Sequence, residues 1–173
     1  MAVKVGVPLY LVISVVLSLL LSSHHFAEAD NEIAKTCALT EYPEVCTTTL
    51  ESDSRSSSAN ITGLSRIGLE LTGTKASETA AVAYKLINNA SSYAEWDIRA
   101  TCFHIYNSSV EKINQEGLKY FDERKYEKAS EVVVFVNGEI HYCGTLGVVQ
   151  LNESNTLLDK FTTDLKTILH QLF

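Results

Sequence analysis

The chain has 173 residues, a formal net charge of −7 and four cysteines. This length argues for one domain. The acidic balance lacks the basic stripe that a nucleic-acid partner would need, and it suits a basic protein partner. At the N-terminus, Lys4 precedes an almost unbroken apolar run from Val7 to Leu21, interrupted by Pro8, Ser14 and Ser18. Ala27-Glu28-Ala29 follows shortly after. A charge, an apolar run and a small-residue site, in that order, make a secretory signal peptide. The run is shorter than the roughly 20 residues of a membrane-spanning helix. The expectation is that residues 1–29 are removed, leaving Asp30 to Phe173 secreted and with no membrane attachment.

All four cysteines, Cys37, Cys46, Cys102 and Cys143, lie in the retained part. An even number in an exported chain reads as disulfides. Four cysteines allow three pairings, and spacing does not choose among them. Asn60, Asn89, Asn107 and Asn152 each head an Asn-x-Ser/Thr sequence. They are candidate glycosylation sites, in keeping with export.

Taken in order, residues 31–50 read as two short helical stretches broken at Tyr42-Pro43, because the residue before proline avoids the helical region. The serine-rich stretch from Ser52 to Ser58 reads as a loop. A long helix then starts with Asn60 as its cap. Its stripe is Ile61, Leu64, Ile67 or Gly68, and Leu71, weakening across Gly73 to Thr79 and resuming at Val82, Leu86 and Ile87. A second helix spans about Glu95 to Phe121 with Cys102, Tyr106, Val110 and Ile113 on one face, and a charged turn region runs from Lys119 to Lys128. Tyr126 to Cys143 is ambiguous. The seam Tyr126, Ala129, Val133, Val136, Ile140 and Cys143 has helical spacing. The β-branched run before Asn137-Gly138 equally signals a hairpin. A lone hairpin among helices would have no sheet to join, which favours the helix. The last segment, capped at Asn152 or Ser154, repeats Leu158, Phe161, Leu165, Ile168 and Leu172, with Asp159, Lys160, Asp164 and Lys166 outward. Such amphipathic helices bury their stripes against one another, most simply in an antiparallel four-helix bundle.

No phosphate-binding glycine loop, His-Glu-x-x-His zinc motif or Gly-x-Ser-x-Gly elbow is present. No cofactor is implied, and the chain does not read as an enzyme. Cys102-x-His104 and His141-x-Cys143 mirror each other like a zinc ligand set. Oxidation would consume both thiolates in an exported protein, and residues two apart on a helix point in different directions.

The cysteines say more together with their neighbours. Cys37 and Cys46 enclose Thr40-Glu41-Tyr42-Pro43, Tyr106 follows Cys102, and Tyr126-x-x-Ala129 precedes Cys143. This layout resembles the plant invertase and pectin methylesterase inhibitor family along the whole exported chain. The resemblance implies an all-α fold: an antiparallel, up-down-up-down four-helix bundle with an N-terminal helical hairpin. It implies the pairings Cys37–Cys46 and Cys102–Cys143, and a helix for the ambiguous segment. It also implies a one-to-one protein complex with a target enzyme, pectin methylesterase or acid invertase, in the cell wall apoplast or the vacuole. Gly144 departs from the acidic residue usual after the last cysteine. Val132 to Val136 replaces an alanine-rich stretch.

Invertase inhibitors carry a Pro-Lys-Phe element between the second and third bundle helices. Arg124-Lys125-Tyr126 is the nearest match, with the proline lost, which tilts the expectation towards pectin methylesterase. These three residues are the candidate target contacts, although Tyr126 also reads simply as the first core residue of its helix. A small-ligand carrier is the more remote alternative.

Overall fold

The computed structural model describes residues 32–173. The signal-peptide expectation falls on residues outside that range. Residues 32–37 form α1, and α2 is Pro43–Glu51, with Pro43 in the first helical turn where its missing N–H costs nothing. A 3-10 turn, Ser54–Ser58, replaces the expected loop, and the Asp53 carboxylate caps it at the Arg55 N–H. The long helices are α3 (Ile61–Ile87), α4 (Tyr93–Lys112), α6 (Tyr126–Thr145) and α7 (Asn152–His170). A π-helical turn, Ile113–Gly117, carries α4 directly into the short α5, Leu118–Asp122.

Local chemistry sets the helix starts. The Asn60 side chain accepts from the Gly63 N–H, as a cap should. Ser92 accepts from the Glu95 N–H while the Glu95 carboxylate accepts from the Ser91 N–H and hydroxyl, a reciprocal cap. Neither Asn152 nor Ser154 caps α7. A 3-10 turn, Val149–Leu151, feeds into that helix with no side-chain cap. The hairpin signal at Asn137-Gly138 is overridden. Both residues lie inside α6, and the Asn137 amide crosses to α7, donating to the Asp159 carbonyl at 2.9 Å and the Thr162 hydroxyl at 2.8 Å.

Neighbouring helices run antiparallel. Between α3 and α4, Gly73 lies against Ile113 and Asn114, whereas the later Leu86 accepts from the earlier Arg99. Between α4 and α6, Cys102 meets Cys143 and Lys112 lies over Phe135. Between α6 and α7, Asn137 meets Thr162 and Gly144 meets Asn155. Helix α7 closes the ring on α3, where Leu165 covers Gly68. Each helix thus turns its stripe to the same interior, an all-helical up-down-up-down bundle.

The weak stripe in the middle of α3 is a close-packed seam. Thr72, Gly73, Ala76, Thr79, Ala80 and Ala83 are buried, and Val82, expected inside, is 41% exposed. Small residues let α4 approach the α3 backbone, so the burial is carried by contact rather than by large side chains. The buried Thr72 and Thr79 hydroxyls donate to the carbonyls of Gly68 and Lys75, one turn back, which satisfies them without a partner helix.

The structure joins Cys37 to Cys46 and Cys102 to Cys143, with Cα atoms 5.6 and 5.2 Å apart. The first closes α1 onto α2, and Ile33, Cys37, Cys46 and Leu50 pack on Leu64, Ile67, Phe161 and Ile168 of α3 and α7. Asp164, expected to face solvent, is instead fully buried beneath this hairpin. Its Oδ1 accepts from the Tyr42 N–H at 2.9 Å, and among the described residues its Oδ2 has no hydrogen-bond partner. Burial pushes its pKa above the usual carboxylate range, and the charge of Glu41 adds to this. The hydrogen bond from the Tyr42 N–H pulls the other way without prevailing.

Two predictions follow from packing and charge. A Cβ at Gly138 meets nothing, whereas one at Gly68 would lie 2.6 Å from a Leu165 methyl. Gly138→Ala should therefore stabilise by about 1 kcal/mol and Gly68→Ala destabilise by about 1–3 kcal/mol, both read by urea unfolding. Equal effects of the two would contradict this packing. For Asp164, the folded state holds a proton at a pH where the unfolded chain has lost it. Its contribution is thus greatest at low pH and falls as pH rises from 3.8 through the raised folded value. Asp164→Asn keeps an acceptor for Tyr42 and removes the charge. The stability of the native protein relative to this variant should decline across that window, and a flat or rising difference would refute the assignment.

Candidate functional site

The turn between α5 and α6 presents Arg124, Lys125 and Tyr126 at the α5–α6 corner of the bundle. The Arg124 N–H donates to Phe121 O at 2.9 Å and the Lys125 N–H to Tyr120 O at 2.8 Å. This bond pair ends a helix with a left-handed residue, normally glycine. Here the position is Arg124, with φ of 59°. A side chain with a Cβ is strained there, and no sequence signal marks it.

Arg124 and Lys125 are exposed, and Tyr126 is half-buried with its ring 5.1 Å from that of Phe121. Tyr126 therefore serves the core of its helix and offers only an edge outward. Lys125 Nζ pairs with Glu123 at 2.6 Å. That hydrogen bond, reinforced by the charges of Lys125, Lys119 and Lys128, holds the Glu123 carboxyl below its usual range and lifts Lys125. A locally basic corner thus stands on an acidic protein. Beside it, Asp122 binds Arg66, which also pairs with Glu70, and Glu70 binds Arg55 at 2.6 Å. This alternating chain of charges ties the 3-10 turn after α2, α3 and the end of α5 together, so the corner is anchored on three elements.

A second surface lies between α4 and α6. Their outer faces leave an open groove bordered by His104, Ser108 and Glu111 on one wall and Glu139 and Tyr142 on the other. Beyond it, Lys112 sits 5.4 Å over the ring of Phe135, which is 52% exposed, and Val134 is also exposed. The valine-rich run therefore divides. Val132, Val133 and Val136 are core, while Val134 and Phe135 are surface. The seam spacing contained this signal, because those two positions fall off the stripe set by Val133 and Val136.

Asn60, Asn89, Asn107 and Asn152 are all exposed. His104, His141 and His170 are exposed too, with His141 Nδ1 3.4 Å from Asp159. The Cys102–Cys143 bond takes both sulfurs of the mirrored Cys/His pattern, and among the described residues no His, Cys, Asp and Glu group is arranged to hold a metal. Gly144 has a structural reason. A Cβ there would overlap the Asn155 amide, which is hydrogen-bonded to the buried Tyr106 hydroxyl. Burial pushes the Tyr106 phenol pKa well up, so it stays neutral, and the Asn155 amide N–H donates to it.

This is a disulfide-clasped helical bundle with a basic corner and an open groove on its outside. The model of the plant invertase/pectin methylesterase inhibitor family matches residues 31–144, and the chain belongs to that family. A pectinesterase inhibitor from Actinidia deliciosa is 28% identical over 96 residues, 55% of this chain and 52% of the relative, so the match spans about half the length of each. The fold is similar to that of a mutant form of a pectin methylesterase inhibitor from Arabidopsis, with a TM-score of 0.70 and 15% identity over 80% of this chain and 95% of that one. A pectin methylesterase inhibitor from Arabidopsis thaliana gives 0.62 and 15% over 83% and 97%. At this identity the likeness is one of fold.

Replacing Arg124 by glycine should relieve the left-handed strain and stabilise the protein by about 1 kcal/mol. Urea unfolding checks this, and a destabilised variant would mean that the Arg124 side chain is itself a structural contact.

Proposed function

We propose that this protein is exported after removal of residues 1–29 and inhibits pectin methylesterase in the cell wall apoplast by forming a one-to-one complex that covers the enzyme's cleft. Membership of the inhibitor family carries this reading. The curated relative supports the choice of target. Rigidity suits the role, because a bundle stapled by two disulfides loses little freedom on docking. Affinity in such a complex comes from a few anchors and complementary charge. The basic corner of Arg124, Lys125 and the edge of Tyr126 is the contact proposed here. Its strained Arg124 fits a residue retained for binding rather than for stability.

The test titrates the purified protein, residues 30–173, into pectin methylesterase and into acid invertase. The expected result is loss of methylesterase activity that saturates at equimolar inhibitor, with invertase unaffected. Arg124→Gly, although more stable, should bind about tenfold more weakly, as removal of an anchor does. Inhibition of invertase alone would reassign the target. Failure to inhibit either enzyme would refute the proposal.

A further inference from the structure

We propose that the α1–α2 hairpin is a proton-controlled latch: it sits on the bundle while Asp164 holds a proton and lifts from α7 once Asp164 ionises. This goes beyond the inhibitor reading and does not depend on it.

The stripe of α7 beneath the hairpin is Phe161, Asp164 and Ile168, at i, i+3 and i+7 of one helical face. Phe161 and Ile168 are fully buried and pack with Ile33, Cys37, Cys46 and Leu50 of the hairpin. A carboxyl therefore stands where the stripe calls for an apolar side chain, and it is fully buried too. Among the described residues, the bond from the Tyr42 N–H to Asp164 Oδ1 is the one hydrogen bond between residues 32–51 and the long helices. The Oδ2 has no partner there. The hairpin is thus held by apolar contact and by one carboxyl that is half satisfied. With a proton on it the carboxyl is neutral and tolerates burial. Without the proton it is a buried charge with a single bond, which is costly. Lifting the hairpin returns that charge to water.

The hairpin can move as a unit. Cys37–Cys46 closes it on itself, and the 3-10 turn that follows is held to α3 by the Arg55–Glu70 pair. Bending therefore falls at Ser52 and Asp53, between the two. The surrounding charges act in the same sense. From the turn above, the exposed Glu41 repels the ionised form. The Tyr42 phenol stays neutral, its pKa raised first by a hydrogen bond with Glu41. On α7, Lys160 is engaged 5.2 Å over the Tyr42 ring, and Asp159 adds negative charge beside it. The α2 and α3 side chains of the cluster, Cys46, Leu50, Leu64 and Ile67, carry no charge. With the hairpin down, Asp164 titrates above its exposed value of 3.8. The opening constant is therefore lowest in acid. It rises as pH climbs from 3.8 to the raised folded value, by at most about tenfold per pH unit, and is level above it.

Hydrogen–deuterium exchange of the disulfide-intact protein, residues 30–173, tests this from about pH 4 to about pH 8, each amide being corrected for its intrinsic rate. The expected result is a several-fold fall in protection across α1 and α2 as pH rises, with α6 unchanged. Asp164→Asn keeps an acceptor for Tyr42 and cannot ionise, so its hairpin protection should be flat. Glu41→Gln, at an exposed position, should move the transition of the otherwise native protein to lower pH. Flat hairpin protection in the native protein, an equal fall in Asp164→Asn, or an equal fall in α6 overturns the proposal. If Asp164→Asn does not fold, Glu41→Gln decides, and an unmoved transition overturns it.

Discussion

The bundle depends on a cross-link at its least continuous seam. Helices α3 and α4 are joined by a short connection and pack along a row of small residues, and α6 and α7 are joined similarly and share the Asn137 and Asn155 bonds. Between α4 and α6 the outer faces part into a groove. There the Cys102–Cys143 disulfide closes a separation of 41 residues, worth roughly 3–4 kcal/mol in the chain-entropy model. Tyr106 and Asn155 lie next to it in the core and join α4 to α7. Without that bond the groove would have only the packing beneath it to hold its walls in register.

The ends of the molecule are organised differently from its middle. At one end the helical hairpin of α1 and α2 sits on α3 and α7 through its own small apolar cluster and its own disulfide. A buried carboxylate, Asp164, organises the turn by accepting from its backbone. Burying a charge is costly unless hydrogen bonds compensate, and with a single bond from the Tyr42 N–H the Asp164 carboxyl keeps a raised pKa. The ion chain from Asp53 through Arg55, Glu70 and Arg66 to Asp122 extends this anchoring towards the Arg124 turn. Exposed pairs of this kind add little stability individually; their effect is to position the corner.

Function in such a protein is a matter of surface. In the interior the Thr72 and Thr162 hydroxyls are bonded within their own helices and the buried tyrosine is held neutral, while the Asp164 Oδ2 is left without a partner among the described residues. What distinguishes the outside is where the chain breaks a local rule: an arginine in a left-handed position, and a phenylalanine and a valine turned to solvent. Local inconsistency of this sort gathers at functional positions, because stability alone would have removed it.

By itself the sequence determined the helices, their approximate limits, and the seams of α4, α6 and the apolar heptad of α7, because hydrophobic spacing is written directly in residue order. The stripes also pointed to an antiparallel four-helix bundle, and the resemblance carried by the cysteines and tyrosines added the N-terminal hairpin and the disulfide pairings. Tertiary structure decided the rest. It placed Asp164 inside, because a hairpin far away in sequence covers it. It made α3 pack through alanine, glycine and threonine, which carry little hydrophobic signal yet permit close approach. It kept Asn137-Gly138 helical, because α7 supplied acceptors for the amide and the seam outweighed turn propensity. These outcomes depend on neighbours brought together only by folding, so no local pattern encodes them.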